Sequence, residues 1–248
     1  MNYSVCITTF SLRFHFVETL ISQIREHTNS DILLAINGNY MLDFDEEYRK
    51  KILSLCQKYE RIFPIFFPEQ RGLSKLWNTL VVHSKTDWNL ILNDDVEITL
   101  GEVFEPVLSN LGDDPKIFRI NGSFSHFIIH KKLLHDLGYF DERFLGFGSE
   151  DSDFCWRYVK KYNTHIPEIN VHGFVNFVSN IKDEKMTTSM GSKYTMFNQN
   201  FLHGIQTSKY FSVSEGIAGW FPFPVDKKLE DIIQYPYESF FWENKKFL

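Results

Sequence analysis

Two adjacent carboxylates, Asp94 and Asp95, stand with Asn93 directly after the apolar run Asn89–Leu92, NLIL. Like charges side by side repel, and the pair is costly unless solvent or a cation compensates it. A solvated turn or a helix cap would do so. So would a divalent cation held by a carboxylate against a diphosphate, with Mg²⁺ or Mn²⁺ as the ion. A second acidic group is Glu150, Asp151 and Asp153, set behind the glycine-rich loop Gly146-Phe147-Gly148-Ser149. Acids in a first helical turn cap it and suit the helix dipole. Capping needs one or two acids and neither glycine. The surplus points to a general base offered at a helix N-terminus, beside backbone that a ligand can approach closely. A third candidate is His172, between Val171 and Gly173, which suits a structural role or ligation. His126, His130, His165 and His203 compete with it.

Strands and helices in alternation must carry these groups. Tyr3–Thr9 is a β-branched run, and Phe14–Ile24 follows with Phe14, Val17, Leu20, Ile21 and Ile24 at helical spacing. Asp31–Ile36, Phe63–Phe67 and Asn89–Leu92 read as further strands; Glu46–Tyr59 and Leu73–His83 read as the helices between them. This order predicts parallel strands joined by right-handed crossovers. Strands covered on both faces are continuous apolar runs, as DILLAI and NLIL are. In such sheets ligands bind beyond the carboxyl ends of the strands. That directs attention to Thr8-Thr9, Asn37-Gly38, Pro68–Gly72 and Asn93–Asp95. Further on, Lys116–Ile120 and Ser123–His130 are strands around the hairpin dipeptide Asn121-Gly122. Lys131–Leu137 is a short helix stopped by Gly138, and Glu150–Tyr162 is a helix with an acidic start. Beyond about residue 175 aromatics abound without regular pattern.

Composition narrows the function classes. The 248 residues hold Lys+Arg 26 and Asp+Glu 32, a net charge of −6, which argues against a general nucleic-acid binder. No run reaches the roughly 20 apolar residues that span a bilayer. The start, MNYSVCITTF, lacks the marks of a secretory leader, so the cytoplasm is the expected compartment. Cys6, Cys56 and Cys155 are too far apart for a disulfide framework or a cysteine zinc site. Zinc-hydrolase, serine-hydrolase, Walker and dinucleotide-binding motifs are all absent from the sequence.

Five segments, in order, resemble the nucleotide-sugar-dependent glycosyltransferases of the GT-A fold, above all glycosyltransferase family 2. They are SVCITTFSLRF, EQRGLSKLWNTLV, LILNDDVEI, LGYFDERFLGFGSEDSDFCWR and VHGF. GFGSEDSDFCWR also resembles the Gly-Glu-Asp segment of β-galactosyltransferase-like families. The resemblance covers roughly residues 3–175. It implies an α/β, Rossmann-like, mixed and mostly parallel sheet flanked by helices. Residues 1–100 would bind the nucleotide sugar and 101–175 the acceptor, with 176–248 an irregular aromatic-rich appendage on the acceptor side. Asp95 would coordinate the cation on the donor diphosphate, Asp94 would face ribose or metal, and His172 would complete the metal shell. Thr8, Thr9 and Arg13 would hold the nucleotide, in a donor site that includes Asn37, Arg71, Gly72, Lys75 and Asn93. Asp151 would be the base, with Glu150 the rival for that role. Two departures stand out: Asn37 replaces the acid usual after the second strand, and Asn-Asp-Asp replaces a strict Asp-x-Asp.

The expected reaction is inverting transfer of a sugar from a nucleoside diphosphate to a hydroxyl of a glycan or lipid-linked glycan, in bacterial surface polysaccharide synthesis (capsule, O-antigen or lipooligosaccharide). A retaining transferase, a nucleotidyltransferase and a silent sugar- or nucleotide-binding module are the alternatives. The C-terminal SFFWENKKFL sets aromatics beside Lys245-Lys246. It suits either a peripheral anchor at the inner face of the membrane or packing over the acceptor side.

Overall fold

A computed structural model describes residues 2–10, 13–38, 43–99, 104–109, 111–112, 114–144, 146–176, 198–199 and 202. Their order is β1 (Tyr3–Phe10), α1 (Phe14–His27), β2 (Ile32–Asn37), α2 (Glu46–Lys58), β3 (Ile62–Phe66), α3 (Leu73–His83), β4 (Trp88–Asn93) and β5 (Val96–Ile98). There follow α4 (Phe104–Ser109), β6 (Ile117–Ile120), β7 (Ser123–His130), α5 (Lys131–Leu137), α6 (Glu150–Tyr162), β8 (Glu168–Ile169) and β9 (Phe174–Asn176). The chain divides into two compact units. One holds the described residues up to 70, 79–133 and 167–176, with every described strand and α1, α2 and α4. The other holds 71–78 and 134–166, with α6, the start of α3 and the end of α5, together with Asn198.

The main sheet of the first unit runs β3-β2-β1-β4-β7-β6-β8. Its first four strands are parallel, β7 is antiparallel to β4 and β6 to β7, and β8 pairs parallel with β6. The expected mixed, mostly parallel sheet is therefore present. On one face Val5, Ile7, Leu34, Leu90, Leu92 and Ile128 meet Val17, Leu20, Ile21 and Ile24 of α1 and Ile52 and Leu55 of α2. The alternate residues Cys6, Leu33, Ala35, Ile91, Phe127 and Ile129 are buried as well, which is why these strands lack polar alternation. Each fully buried Leu or Ile contributes about 1.5–3 kcal/mol relative to exposure.

Local chemistry sets the element ends. Asp45 caps α2, its carboxylate accepting from the Glu47 and Tyr48 amides at 3.1 and 3.0 Å. Asn121 and Gly122 turn between β6 and β7 with φ of 52° and 73°, as a tight hairpin requires. The elements that periodicity does not announce are β5, α4, β8 and β9. The three strands have only two or three residues and α4 has six, too few for a period to show.

Candidate active site

In the first unit three parallel strands end together. Register pairs Thr8 of β1 with Asn93 of β4, and Phe10 of β1 with Asn37 of β2. The Thr8 hydroxyl donates to the Asn93 side-chain carbonyl at 3.4 Å. The Thr9 hydroxyl donates to Asp94 Oδ2 at 2.7 Å and, its one proton spent, accepts from the Tyr48 hydroxyl at 2.8 Å. Asp94 and Asp95 form the turn between β4 and β5, and the Arg13 guanidinium spans both. Its Nη2 lies 3.1 Å from Asp94 Oδ1 and 2.7 Å from Asp95 Oδ2.

The two carboxylates differ in environment. The Asp94 side chain is 2% exposed and that of Asp95 is 16% exposed, so only Asp95 offers oxygen to a ligand. Burial pushes the Asp94 carboxyl up to about 7; the Arg13 charge opposes this, the Asp95 charge adds to it, and the Thr9 hydrogen bond opposes it. Burial likewise raises the Tyr48 phenol and keeps it a donor. His126 is buried opposite Leu92 in the β4–β7 register, and neither ring nitrogen has a hydrogen-bond partner among the described residues. Burial lowers its pKa, while the charge of Asp95 pulls the other way.

These oxygen donors suit Mg²⁺ or Mn²⁺. No group of three His, Cys, Asp or Glu side chains able to hold a metal occurs among the described residues. Asp95 would supply part of a coordination shell, and ligand oxygens and water would complete it. The residues fit a cation shared with a bound diphosphate. His172 is exposed in the turn before β9. Val96 pairs with Asn176 and Ile98 with Phe174, so His172 lies at the opposite end of this ribbon from Asp95. The fold does not bring the two together.

In the second unit the acids that open α6 have three fates. Asp153 is buried and accepts from Arg157 Nε and Nη2 at 3.0 and 2.9 Å. Arg157 also donates to the carbonyls of Leu137, Gly138 and Tyr139, and so finishes α5. Glu150 is buried, and its Oε2 has no hydrogen-bond partner among the described residues. Burial, and after it the charge of Asp151, pushes the Glu150 carboxyl up to about 8. Asp151 is partly exposed and, among the described residues, accepts only from the neighbouring Ser152, at 2.7 Å from its amide and 3.4 Å from its hydroxyl. Gly146, Gly148 and Ser149 all have positive φ, and Asn198 donates to the Gly148 carbonyl at 2.8 Å.

This loop is tied to the Arg71-Gly72 segment, since the Leu73 amide donates to the Gly146 carbonyl at 2.7 Å. Lys75 pairs with the buried Glu142 at 3.5 Å. Asn78 holds that carboxylate at 3.0 Å and both backbone groups of Phe140, at 2.8 and 3.1 Å. Thr8, Thr9, Arg13, Asn93, Asp94 and Asp95 thus form one network in the first unit, with Asn37 at its strand edge. Arg71, Gly72, Lys75, Glu150 and Asp151 belong to the second. Sequence reasoning does not single out Tyr48; Glu142 lies inside the LGYFDERFLGFGSEDSDFCWR segment without a role assigned there, and His126 enters only as one of four histidines competing with His172. Tyr48 sits in the apolar stripe of α2, where nothing local reveals that its hydroxyl reaches Thr9.

The model of the glycosyl transferase family 2 matches residues 4–162. The chain belongs to glycosyl transferase family 2. The match embraces both the Asp94-Asp95 turn and the opening of α6. No curated protein matches this family 2 chain. Among solved structures it is similar to the mannosyltransferase PcManGT from Pyrobaculum calidifontis in complex with GDP-Man and Mn²⁺. That likeness has 10% identity and a TM-score of 0.61, over 92% of this chain and 76% of that one. It is similar to glucosyl-3-phosphoglycerate synthase from Mycobacterium tuberculosis in complex with Mn²⁺, UDP and glucosyl-3-phosphoglycerate, with 11% identity and a TM-score of 0.57, over 82% and 80%. S. aureus TarS 1-349 matches with 14% identity and a TM-score of 0.51, over 69% of this chain and 58% of that one. These identities speak for the fold alone, the GT-A architecture. No described helix is long and apolar enough to cross a membrane. The C-terminal SFFWENKKFL lies outside the described residues.

Proposed function

We propose that this glycosyltransferase is inverting, moving a sugar from a nucleoside-diphosphate donor to a hydroxyl of a glycan or lipid-linked glycan, in surface polysaccharide synthesis. The observation that carries the reading is the division of labour among the acids of α6. A base must be ionised and within reach of its proton. Asp153 is spent on Arg157, and Glu150 is buried and protonated near neutrality. Asp151 alone combines exposure with freedom from a cationic partner among the described residues, and we assign it the base.

Asp151 then takes the proton of the acceptor hydroxyl as that oxygen attacks the anomeric carbon from the face opposite the nucleotide. One such displacement inverts the configuration, and the diphosphate leaves with the bond pair. In the first unit Thr8, Thr9, Asn37 and Asn93 line the strand ends for the nucleoside, and the buried Asp94 holds Thr9 and Arg13 in place behind them. Arg71, Gly72 and Lys75 are assigned to donor binding as well. A divalent cation held by Asp95 would neutralise charge on the leaving diphosphate. The Mn²⁺ in the PcManGT and glucosyl-3-phosphoglycerate synthase structures supports this choice of ion.

The test is turnover of a panel of UDP- and GDP-sugars with Mn²⁺, with and without glycan acceptors. Asp151→Asn should lower kcat by roughly 10²–10⁴, the scale of general-base catalysis, with donor affinity nearly unchanged. Wild-type turnover in Asp151→Asn removes this base. A product of retained configuration by NMR excludes the inverting path, and release of pyrophosphate signals nucleotidyl transfer instead.

A further inference from the structure

The Arg13 guanidinium does more than touch a carboxylate. It sits on Asp94 and Asp95 together, at 3.1 and 2.7 Å, and its side chain is 15% exposed. Two aromatic rings hold it there, with Cζ 5.0 Å from the Phe10 centroid and 5.1 Å from that of Phe16. Phe10 ends β1 and Phe16 lies in the first turn of α1, so the clamp is built from elements on either side of Arg13. Cation–π contact of this kind favours a retained positive charge at that point. The buried Arg13 Nε has no hydrogen-bond partner among the described residues.

A divalent ion bound to Asp95 at ordinary oxygen-ligand distance would lie a few ångströms from the guanidinium (about 2.0–2.2 Å to the shared carboxylate). Two cations that close repel, and the carboxylates can satisfy one of them well or both badly. We propose that Arg13 is the resident counter-cation of the Asp94–Asp95 pair, excluding free divalent ions until a nucleoside diphosphate draws the guanidinium onto its phosphates. A guanidinium binds phosphate oxygens in the same forked geometry as carboxylates, so the exchange replaces one anion by another. Cation and nucleotide then enter as a coupled pair. This rests on the reading of Asp95 as a cation ligand and adds the order in which the site fills.

The experiment is titration of Mn²⁺ into the full chain, followed by loss of the free-ion electron paramagnetic resonance signal, with and without saturating UDP or GDP. Without nucleotide, Arg13→Gln should bind Mn²⁺ roughly tenfold or more tightly than wild type, the range of an ordinary coupling between sites. Arg13→Lys keeps a positive charge and should bind Mn²⁺ as weakly as wild type, which separates charge from packing. The gain on adding nucleotide should be smaller in Arg13→Gln than in wild type. Unchanged or weaker Mn²⁺ binding by Arg13→Gln overturns the proposal; if wild type then still binds Mn²⁺ with nucleotide, the cation site itself survives. Tight binding by Arg13→Lys also overturns it. Absence of Mn²⁺ binding in every protein, even with nucleotide, overturns the cation reading and this inference with it.

Discussion

Glu150 is a carboxyl whose burial is not repaid by a partner on Oε2 among the described residues, and its pKa is pushed up to about 8. For an acid whose folded pKa is raised, stability is in place below the ordinary carboxylate range and is lost as pH rises through the folded value. Wild type should therefore lose stability between about pH 5 and pH 9 relative to Glu150→Gln, which carries no titrating group there. The melting temperatures of the two should converge near pH 5, with the variant ahead at pH 9. Between the ordinary and the raised pKa the gap should widen by about 1.4 kcal/mol for each tenfold fall in proton concentration. A difference independent of pH would show that Glu150 is not the titrating group. Turnover of Glu150→Gln should stay within reach of wild type, because a protonated buried carboxyl does not serve as the base. Sequence alone left Glu150 and Asp151 as rivals, since both open the same helix.

The phase of α6 gives the two acids different surroundings. Glu150, Asp153, Phe154, Arg157 and Tyr158 form its buried stripe, the i, i+3, i+4, i+7, i+8 pattern of one helix face, and Asp151 lies off it. The signal was present in the spacing, but three of the five inward residues are charged, so hydrophobicity did not reveal the phase. The loops that follow β2 and β3 show a second element-level constraint. A Cβ on Gly38 would sit 2.4 Å from the backbone carbonyl carbon of Glu69 and 2.6 Å from its Cα and amide nitrogen. Backbone cannot yield as a flexible side chain does. Gly38→Ala should cost about 1–3 kcal/mol by forcing the loops apart, seen as a lower denaturation midpoint. Because Asn37 adjoins it at the strand edge, nucleotide affinity should fall too. A fully stable variant would mean that the loops separate freely.

At the scale of the molecule, a ligand that binds only the folded state stabilises all of it by mass action. UDP or GDP at about 100 times its Kd with Mn²⁺ should add about 2.7 kcal/mol. For a chain of this size that is a rise of roughly 5–10 °C in melting temperature. EDTA should remove most of it, and the absence of a shift with either nucleotide would dismiss the donor site proposed in the first unit. Much of that site was legible beforehand. Alternating periods marked β1 to β4 and α1 to α3, and a parallel sheet sends its ligands to the strand ends, where Thr8, Thr9 and Asn93 to Asp95 stand. Periodicity is a property of neighbouring residues, so the chain itself determined the elements, their order and the loops to inspect. Pairing between distant segments decided the rest. Setting β7 against β4 placed His126 opposite Leu92, and joining β9 to β5 carried His172 to the far end of the ribbon from Asp95. Which acid is buried, which stays open and which charge Arg13 meets likewise depend on surroundings assembled from remote parts of the chain. Burial and Coulomb energy are set by distance in space, and only the tertiary structure brings those charges and surfaces together.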